Sequence, residues 1–297
     1  MPDHCADCFK GFVHDGIPAG EVSTIHGLRV YVARPDDGVK PKGLIVMIHD
    51  AFGMEFVNNK ILADRYAKRG GYLVYLPDFM DGHAMSPEVM TLMDKLFLSS
   101  SWLTTLLYKP IYCAQLMYHV IPWKRNVTHA VSHTRVFSFF QKLRTSPPPF
   151  ATNSLKIAAA GFCWGGKYTV LLAQDTPSSR VPRFSEDSTS HASATPEALI
   201  ECGFTAHPSM LEVPGDIEAV TLPLSIAVGD SDMALKGPLV LQTKEILEKK
   251  DVGHEVNILP GAKHGFSIRP NPEDELQMEY AEKAEVQALA WFGKWLA

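Results

Sequence analysis

Short apolar runs alternate with longer amphipathic stretches along most of this 297-residue chain. Several short runs are continuously apolar, which is typical of strands buried on both faces of a sheet. This alternation predicts an α/β fold, a mostly parallel, doubly wound sheet with helices on both faces, in a single domain spanning residues 1–297. The predicted strands are Glu21–Ala33, Gly43–His49, Tyr72–Leu76, Leu155–Ala160, Ile200–Ala206, Leu222–Val228 and Glu255–Leu259; the predicted helices are Asn58–Arg69, Val131–Arg144, Lys167–Gln174, Pro238–Lys249 and Pro272–Leu296.

Three stretches differ from the buried strands and the amphipathic helices. The first strand, Glu21–Ala33, is expected to pair antiparallel at an edge of the sheet. Residues 80–125 form an insertion whose middle is rich in Leu, Tyr, Ile and Met. Pro110 argues against a membrane span there, so we predict a helical cover over the active site, with contact to a membrane surface as the alternative. Asp175–Pro196 is rich in Ser, Thr and Pro, which predicts a surface loop with some disorder.

Composition and charge narrow the class of protein. A net charge of −5 without a Lys/Arg-rich tract argues against a nucleic-acid partner. The first residues lack the basic and apolar regions of a signal peptide, and the five scattered cysteines are typical of a reducing compartment. No metal-ligand constellation, phosphate-binding glycine loop or nucleotide fingerprint is evident. We therefore predict a cytoplasmic enzyme that uses no metal and no cofactor.

The motif G-x-C-x-G-G at Gly161–Gly166 directly follows the apolar run Leu155–Ala160. A strand that turns sharply into a helix around one reactive side chain is the layout of a nucleophile elbow. Glycines suit this turn because the nucleophile has unfavourable backbone angles and its neighbours lie too close to other chain for a Cβ. The helix beginning at Trp164 would direct its N–H groups toward Cys163 and favour the thiolate. An isolated motif of this kind fits a buried structural cysteine equally well.

Two later loops offer the base and the acid that a cysteine nucleophile needs. The strand Leu222–Val228 runs into Gly229–Asp232, and the next predicted strand is followed by a loop that contains His264. The order nucleophile, acid, histidine is that of the α/β-hydrolase fold, which gathers its site at the carboxyl ends of parallel strands. His264 is the predicted base. Asp232, three residues after the loop glycine, is favoured to orient it, and Asp230 would then face solvent or hold the turn.

Together these motifs resemble the dienelactone hydrolase family. The resemblance covers the chain from about Gly20 to the C-terminus, with residues 80–125 the least similar part. The N-terminal pattern Gly16-x-Pro18-x-Gly20 is similar to that of fungal members of the family. The segments that carry it are the elbow around Cys163, the loop Gly229–Asp232, His264-Gly265-Phe266, and Leu44–Gly53, which ends in Asp50-Ala51-Phe52-Gly53.

The resemblance implies hydrolysis of small cyclic esters or enol lactones through a thioester acyl-enzyme. Cys163 would attack the carbonyl carbon, and His264, oriented by Asp232, would then activate water. The backbone N–H groups of Trp164 and Ala51 would form the oxyanion hole, in which one donor is typically worth about 3 kcal/mol.

The resemblance also suggests how substrate is bound. Family members have a carboxylate at the position of Asp50 that contacts the cysteine, and an arginine shortly after the histidine that holds a substrate carboxylate. Arg269 is the candidate for that arginine, one residue further along than in the bacterial prototype, and Phe52 is expected beside the substrate. Asp50 is one methylene shorter than glutamate, and a second carboxylate-binding arginine has no clear match. The substrate therefore need not be a dienelactone carboxylate.

Three functions fit these observations. The leading hypothesis is a cysteine-dependent hydrolase of small-molecule esters or lactones. The second uses the same site for lactonisation, cyclisation or related chemistry in a fungal biosynthetic pathway. The third, from another class, is a degenerate hydrolase fold that serves as a binding or membrane-associated protein. Nothing in the sequence marks an interface, so a monomer and a homodimer are both compatible with it.

Overall fold

The computed structural model describes residues 10–97, 102–146, 156–184 and 195–296. Its described strands form one eight-stranded sheet. In chain order the strands are β1 Glu21–Ile25, β2 Leu28–Ala33, β3 Leu44–Ile48, β4 Leu73–Pro77, β5 Ile157–Phe162, β6 Cys202–Ala206, β7 Leu224–Gly229 and β8 His254–Leu259, and they lie in the order β1-β2-β4-β3-β5-β6-β7-β8. The pairs β1–β2 and β2–β4 are antiparallel, and the other neighbours are parallel. The predicted mostly parallel sheet is confirmed.

Helices surround this sheet. Strands β3 to β7 are buried along their whole length, which explains why their sequences are continuously apolar rather than alternating. A cluster of aromatic rings joins the sheet to the last helix. The ring centroid of Phe204 lies 6.2 Å from that of Phe292 and 6.3 Å from that of Phe162. The helices are α1 Val57–Gly70, α2 Glu88–Phe97, α3 Trp102–Leu107, α4 Lys109–Asn126, α5 His129–Thr145, α6 Trp164–Ala173, α7 Gly215–Glu218, α8 Gly237–Glu248 and α9 Glu275–Leu296.

The strand register brings several loops to one edge of the sheet. Ile48 is opposite Gly161, Phe162 is opposite Ala206, and Gly229 is opposite Leu259. The carboxyl ends of β3, β5, β6, β7 and β8 are therefore at similar heights. The sequence places its candidate chemistry in the segments that follow β3, β5, β7 and β8, as expected for a sheet of this type.

Two predicted segments differ from the structure. The prediction of one strand at Glu21–Ala33 is wrong, because His26 and Gly27 both adopt left-handed angles, with φ of 53° and 87°, and turn the chain into a β1–β2 hairpin. Asp175–Pro196 is in part ordered: Val181 forms a bridge with Glu197, and Arg180 Nε donates to Asp175 Oδ1 at 3.0 Å. Residues 185–194 of that predicted loop lie outside the described part of the chain.

The insertion at residues 80–125 is helical, as predicted, and consists of α2, α3 and α4. Its first part joins the sheet edge through a hydrogen bond of 2.9 Å from Met85 N to Ala51 O. Its role as a cover over the active site stays a prediction. In the described chain, no helix is both long and apolar enough to span a bilayer. The insertion exposes a row of large apolar side chains, namely Trp102, Leu106, Leu107, Tyr108, Ile111, Met117, Tyr118 and Ile121.

Candidate active site

Cys163 stands between the end of β5 and the start of α6. Its backbone angles, φ 51° and ψ −113°, are strained for a residue with a side chain, and only 2% of its surface is exposed. A Cβ at Gly165 would collide with the carbonyl of Ile48 on the neighbouring strand, and one at Gly161 would collide with the Gly165 carbonyl. The predicted strand-turn-helix geometry is therefore present. The role of Cys163 as a nucleophile stays a prediction.

His264 and Asp232 lie together at this edge of the sheet. His264 Nδ1 is 2.9 Å from Asp232 Oδ2 and 3.0 Å from Oδ1, and both side chains are fully buried. The backbone N–H of Ala234 donates to Asp232 Oδ1 at 2.7 Å, which fixes the carboxylate. His264 is thereby held in one orientation, with Nδ1 directed at the acid and Nε2 on the opposite side of the ring.

The charges around His264 favour its protonated form. Burial lowers its pKa, but the sulfur of Cys163 and the carboxylate of Asp232 outweigh that effect and hold the pKa well above its ordinary value. Nε2 is buried and makes no hydrogen bond within the described residues, yet the sulfur is close enough to act on the ring. The arrangement suits a thiolate–imidazolium pair that a carboxylate stabilises.

Asp230 occupies a different position from Asp232. It is exposed, and its Oδ1 accepts hydrogen bonds from Gly261 N at 2.7 Å and from Ser231 Oγ at 3.1 Å. It therefore connects the loop after β7 to the loop after β8. Of the two predicted alternatives, Asp232 is the carboxylate that contacts His264.

Asp50 and Arg269 form a second buried pair at the same edge. Arg269 Nη1 contacts Asp50 Oδ2, and both side chains are fully buried. Arg269 Nε donates to Lys10 O at 2.9 Å, and the guanidinium lies over the ring of Phe52, 5.1 Å from its centroid. Asp50 Oδ1 accepts from Phe52 N and from Asn59 Nδ2, each at 3.0 Å. These bonds connect Asp50 to its own turn and to Arg269.

The two predicted oxyanion-hole residues lie beyond adjacent strands. Ala51 follows β3, and Trp164 is the first residue of α6, where helix N–H groups have no partner within the helix. The ring of Trp164 stacks on that of His49 at 5.5 Å, and His49 Nδ1 is 2.8 Å from Asp50 O. This stacking joins the two segments whose backbone N–H groups are the candidates.

The structure adds residues that the sequence patterns did not identify as part of the site. Ser209, in the loop after β6, has its Oγ 3.8 Å from Cys163 Sγ. His207 packs edge-on against His264, with ring centroids 5.0 Å apart, and its Nε2 is 2.8 Å from Ser267 Oγ. Their position directly after the parallel strand β6 was the available signal.

The described residues contain no group of three or more His, Cys, Asp or Glu side chains placed to hold a metal ion. The titratable side chains near Cys163 are instead engaged in pairs. Asp232 is bonded to His264, Asp50 to Arg269, and His207 to Ser267. The predicted roles of Cys163, His264 and Asp232 as nucleophile, base and orienting acid stay predictions.

Comparison with known protein families shows to which family this chain belongs. The model described as the Dienelactone hydrolase family matches residues 28–297. This chain belongs to the dienelactone hydrolase family. The match includes the elbow, both loops that carry His264 and Asp232, and the inserted helices, so the family resemblance and the assignment as an ester or lactone hydrolase are confirmed.

Individual relatives agree with the family match. Hydrolase pyvD of Aspergillus violaceofuscus is 24% identical over 295 residues, which are 99% of this chain and 97% of the relative. Hydrolase tropI of Talaromyces stipitatus is 26% identical over 290 residues, 97% of this chain and 95% of the relative. Both are fungal, in line with the predicted similarity to fungal members of the dienelactone hydrolase family.

Solved structures share the fold. A dienelactone hydrolase from Anabaena variabilis has a TM-score of 0.54 at 15% identity, covering 94% of this chain and 97% of that one. A dienelactone hydrolase-like promiscuous phosphotriesterase from metagenomic libraries has a TM-score of 0.56 at 16% identity, with coverage of 90% and 92%. The α/β-hydrolase fold extends over the chain, including the sheet edge at which the candidate site lies.

Proposed function

We propose that this member of the dienelactone hydrolase family hydrolyses small lactones or carboxylic esters with Cys163 as the nucleophile. The observation that carries the proposal is the buried His264–Asp232 pair beside a strained cysteine at the start of a helix. Its chemistry needs a thiolate, a base that can take and return a proton, and an acid that orients the base.

The first chemical step forms the acyl-enzyme. The Cys163 thiolate attacks the carbonyl carbon and forms a C–S bond, and the ester C–O bond breaks as the tetrahedral intermediate collapses. The imidazolium of His264 gives its Nε2 proton to the departing alkoxide. In a lactone, that alcohol stays attached to the acyl group.

The second step regenerates the enzyme. His264, now neutral, takes a proton from water, and the hydroxide oxygen bonds to the thioester carbon. The C–S bond breaks, the acid product leaves, and the thiolate–imidazolium pair is restored. Asp232 stays ionised throughout and stabilises the charge on the ring. The N–H groups of Ala51 and Trp164 are our candidates to receive the negative oxygen in both tetrahedral intermediates.

The environment of Arg269 favours a substrate without a carboxylate. An anionic substrate would compete with Asp50 for the guanidinium, which contacts that carboxylate and the Lys10 carbonyl while fully buried. Leaving a buried carboxylate unpaired is costly, by about 3–5 kcal/mol. Neutral lactones and esters place no such demand on the site.

One observation favours cyclisation as the second candidate function. Cys163, Trp164 and His264 are almost entirely buried, so bulk water has little access to the sulfur. An acyl-enzyme that carries its own hydroxyl group would be released as a lactone if that hydroxyl reached the thioester before water did. The product separates the two functions: hydrolysis yields a free acid, and cyclisation yields a lactone.

Hydrolysis of a panel of dienelactones, simple lactones and 4-nitrophenyl esters tests the proposal. We expect Cys163→Ala to reduce kcat/KM at least about 10⁴-fold. Cys113→Ala, which removes an exposed cysteine from α4, is the matched control and should retain full activity. Mass spectrometry of quenched wild-type reactions should find the acyl group on the peptide that contains Cys163. Undiminished turnover by Cys163→Ala would refute the nucleophile assignment.

A further inference from the structure

The loop after β6 holds a hydroxyl group against the candidate nucleophile. Ser209 Oγ lies 3.8 Å from Cys163 Sγ, a distance within the longer range of hydrogen bonds to sulfur. Ser209 is 6% exposed, so the contact is shielded from water. Within the described residues, the sulfur is the side-chain partner found for this hydroxyl.

Main-chain hydrogen bonds join the elbow to the loop after β6 at two points beside this contact. Cys163 N donates to Ala206 O at 3.3 Å, and Ser209 N donates to Cys163 O at 3.0 Å. These two bonds place the loop after β6 directly over the elbow. The position of Ser209 relative to the sulfur is therefore set by main-chain bonds and not by side-chain rotation alone.

The loop also has the strained backbone typical of functional sites. His207 and Met210, which flank the serine, have φ values of 40° and 59° although neither is glycine. A Cβ at Gly166 would come within 2.7 Å of Pro208 Cβ, so the elbow helix and this loop pack without room for a side chain. Pro208, which lies between His207 and Ser209, is therefore packed directly against the elbow helix.

We propose that Ser209 is a further catalytic residue, which donates a hydrogen bond to the Cys163 sulfur and stabilises the thiolate. The inference rests on the proposed role of Cys163 as nucleophile. A hydrogen bond from a neutral donor to a charged acceptor is stronger than one between neutral groups, so it favours the thiolate over the thiol. It also directs the sulfur while the carbonyl carbon approaches. The other charged groups at the site are His264 with Asp232, and Asp50 with Arg269.

The rate of iodoacetamide alkylation of Cys163 against pH tests this role without using catalysis as the readout. Mass spectrometry of the peptide that contains Cys163 separates its alkylation from that of the other cysteines. In Ser209→Ala, the midpoint of the alkylation profile should move up by about one pH unit, because one hydrogen bond to the thiolate is lost. kcat/KM measured below the wild-type midpoint should fall about 10-fold. Ser179→Ala is the matched control, because Ser179 is also buried, at 7% exposed, and its hydroxyl donates to Thr176 O. That variant should change neither the alkylation midpoint nor kcat/KM.

An isosteric pair keeps the test decisive if the alanine variant does not fold. Ser209→Thr retains the hydroxyl and Ser209→Val removes it at the same size, so their profiles should differ by the same upward shift. Identical midpoints in wild type and folded Ser209→Ala, or in the threonine and valine variants, would overturn the proposal. Failure of the nucleophile assignment looks different, because Cys163→Ala would then remain active whatever stands at position 209.

Discussion

Two buried acid–base pairs lie at the same edge of the sheet and differ in what their bases can do. Asp232 is bonded to His264, and Asp50 is bonded to Arg269. The imidazole of His264 is a group that can both accept and donate a proton, and its Nε2 makes no hydrogen bond within the described residues. Arg269 uses its Nε and Nη1 on neighbouring groups, and a guanidinium does not act as a proton acceptor in proteins. The first pair suits proton transfer, and the second suits holding a structure in place.

The second pair holds the turn that follows β3. Asp50 bonds to Arg269 with one oxygen and to Phe52 N and Asn59 Nδ2 with the other. That turn contains Ala51, a candidate oxyanion donor. Burial alone does not separate these two roles, since all four side chains are fully buried. The chemistry of the base does separate them, because an imidazole can transfer a proton whereas a guanidinium does not give one up in proteins.

Removing the acid from the first pair should have the largest effect on activity. In Asp232→Asn, the amide cannot stabilise the charged imidazole or select its tautomer, so we expect kcat to fall by about 10³–10⁴-fold. The protein should stay folded, because the side chain keeps its size. Asp230→Asn is the matched control at the exposed carboxylate of the same loop, and its kcat should stay within about twofold of wild type. Equal losses in both variants would remove the distinction between the two carboxylates.

Removing the base from the second pair should act on stability instead. Arg269→Met leaves the Asp50 carboxylate buried without its cation, and the free energy of unfolding in urea should fall by about 3–5 kcal/mol. Asp50→Asn combined with Arg269→Met should recover part of that loss, because no unpaired charge remains. A stable Arg269→Met with a selective loss of activity toward carboxylate-bearing lactones would instead show that Arg269 binds substrate.

The sequence predicts the first pair better than the second for a physical reason. Cys163, Asp232 and His264 each follow an apolar strand in a glycine-containing turn, so local pattern and chain order are sufficient to select them as candidates. Arg269 is also close to His264 along the chain, but its partner Lys10 is distant in sequence and contributes only a backbone carbonyl. Every residue has a backbone carbonyl, so the amino-acid type at position 10 does not indicate this contact.

Ser209 illustrates the same limit. Its position after the predicted strand Ile200–Ala206 marks it only as a residue of a strand-end loop, and its proximity to Cys163 depends on β6 lying beside β5. The edge hairpin shows a related difficulty, since a two-residue turn at His26 and Gly27 interrupts an otherwise strand-like run. Strand neighbours and turn angles follow from the folded sheet, which a single apolar pattern does not specify.

The pH dependence of stability tests the first pair through its base, His264. The folded-state pKa of His264 is raised above its unfolded value, since the charges of Cys163 and Asp232 outweigh burial. Its contribution to stability is therefore fully present below about pH 6.5, the unfolded value, and is lost as pH rises through the folded-state pKa. The free energy of unfolding should fall from pH 6.5 to 9 more steeply in wild type than in His264→Gln. Parallel curves would contradict a charged His264.

The neighbouring His207 should show the opposite sign. Burial and the charges of His264 and Arg269 hold its pKa well below the ordinary value, so it is neutral in the folded protein. Its contribution is present above about pH 6.5 and is lost as pH falls toward the folded-state pKa. His207→Gln should therefore flatten the acid side of the stability curve, while His264→Gln flattens the alkaline side. A variant that alters both sides equally would show that the two histidines titrate as one unit.

The smallest expected effect concerns the N-terminal segment that supports the second pair. A Cβ at Gly11 would collide with Arg269 Cβ, and Gly11 has φ +142°, so Gly11→Ala should displace either the segment or the arginine. Gly27→Ala is the matched control: Gly27 also has positive φ, +87°, but a Cβ there meets nothing within 4 Å. Both variants carry backbone strain, and only the first adds overpacking, which costs about 1–3 kcal/mol. We therefore expect the unfolding free energy of Gly11→Ala to be lower than that of Gly27→Ala by about 1–3 kcal/mol. Any change in kcat should arise indirectly, because a displaced Arg269 would disturb Asp50 and the turn that contains Ala51. Equal stability of the two variants would mean that residues 10–12 can move away from Arg269 at no cost, and the second pair would then not depend on them.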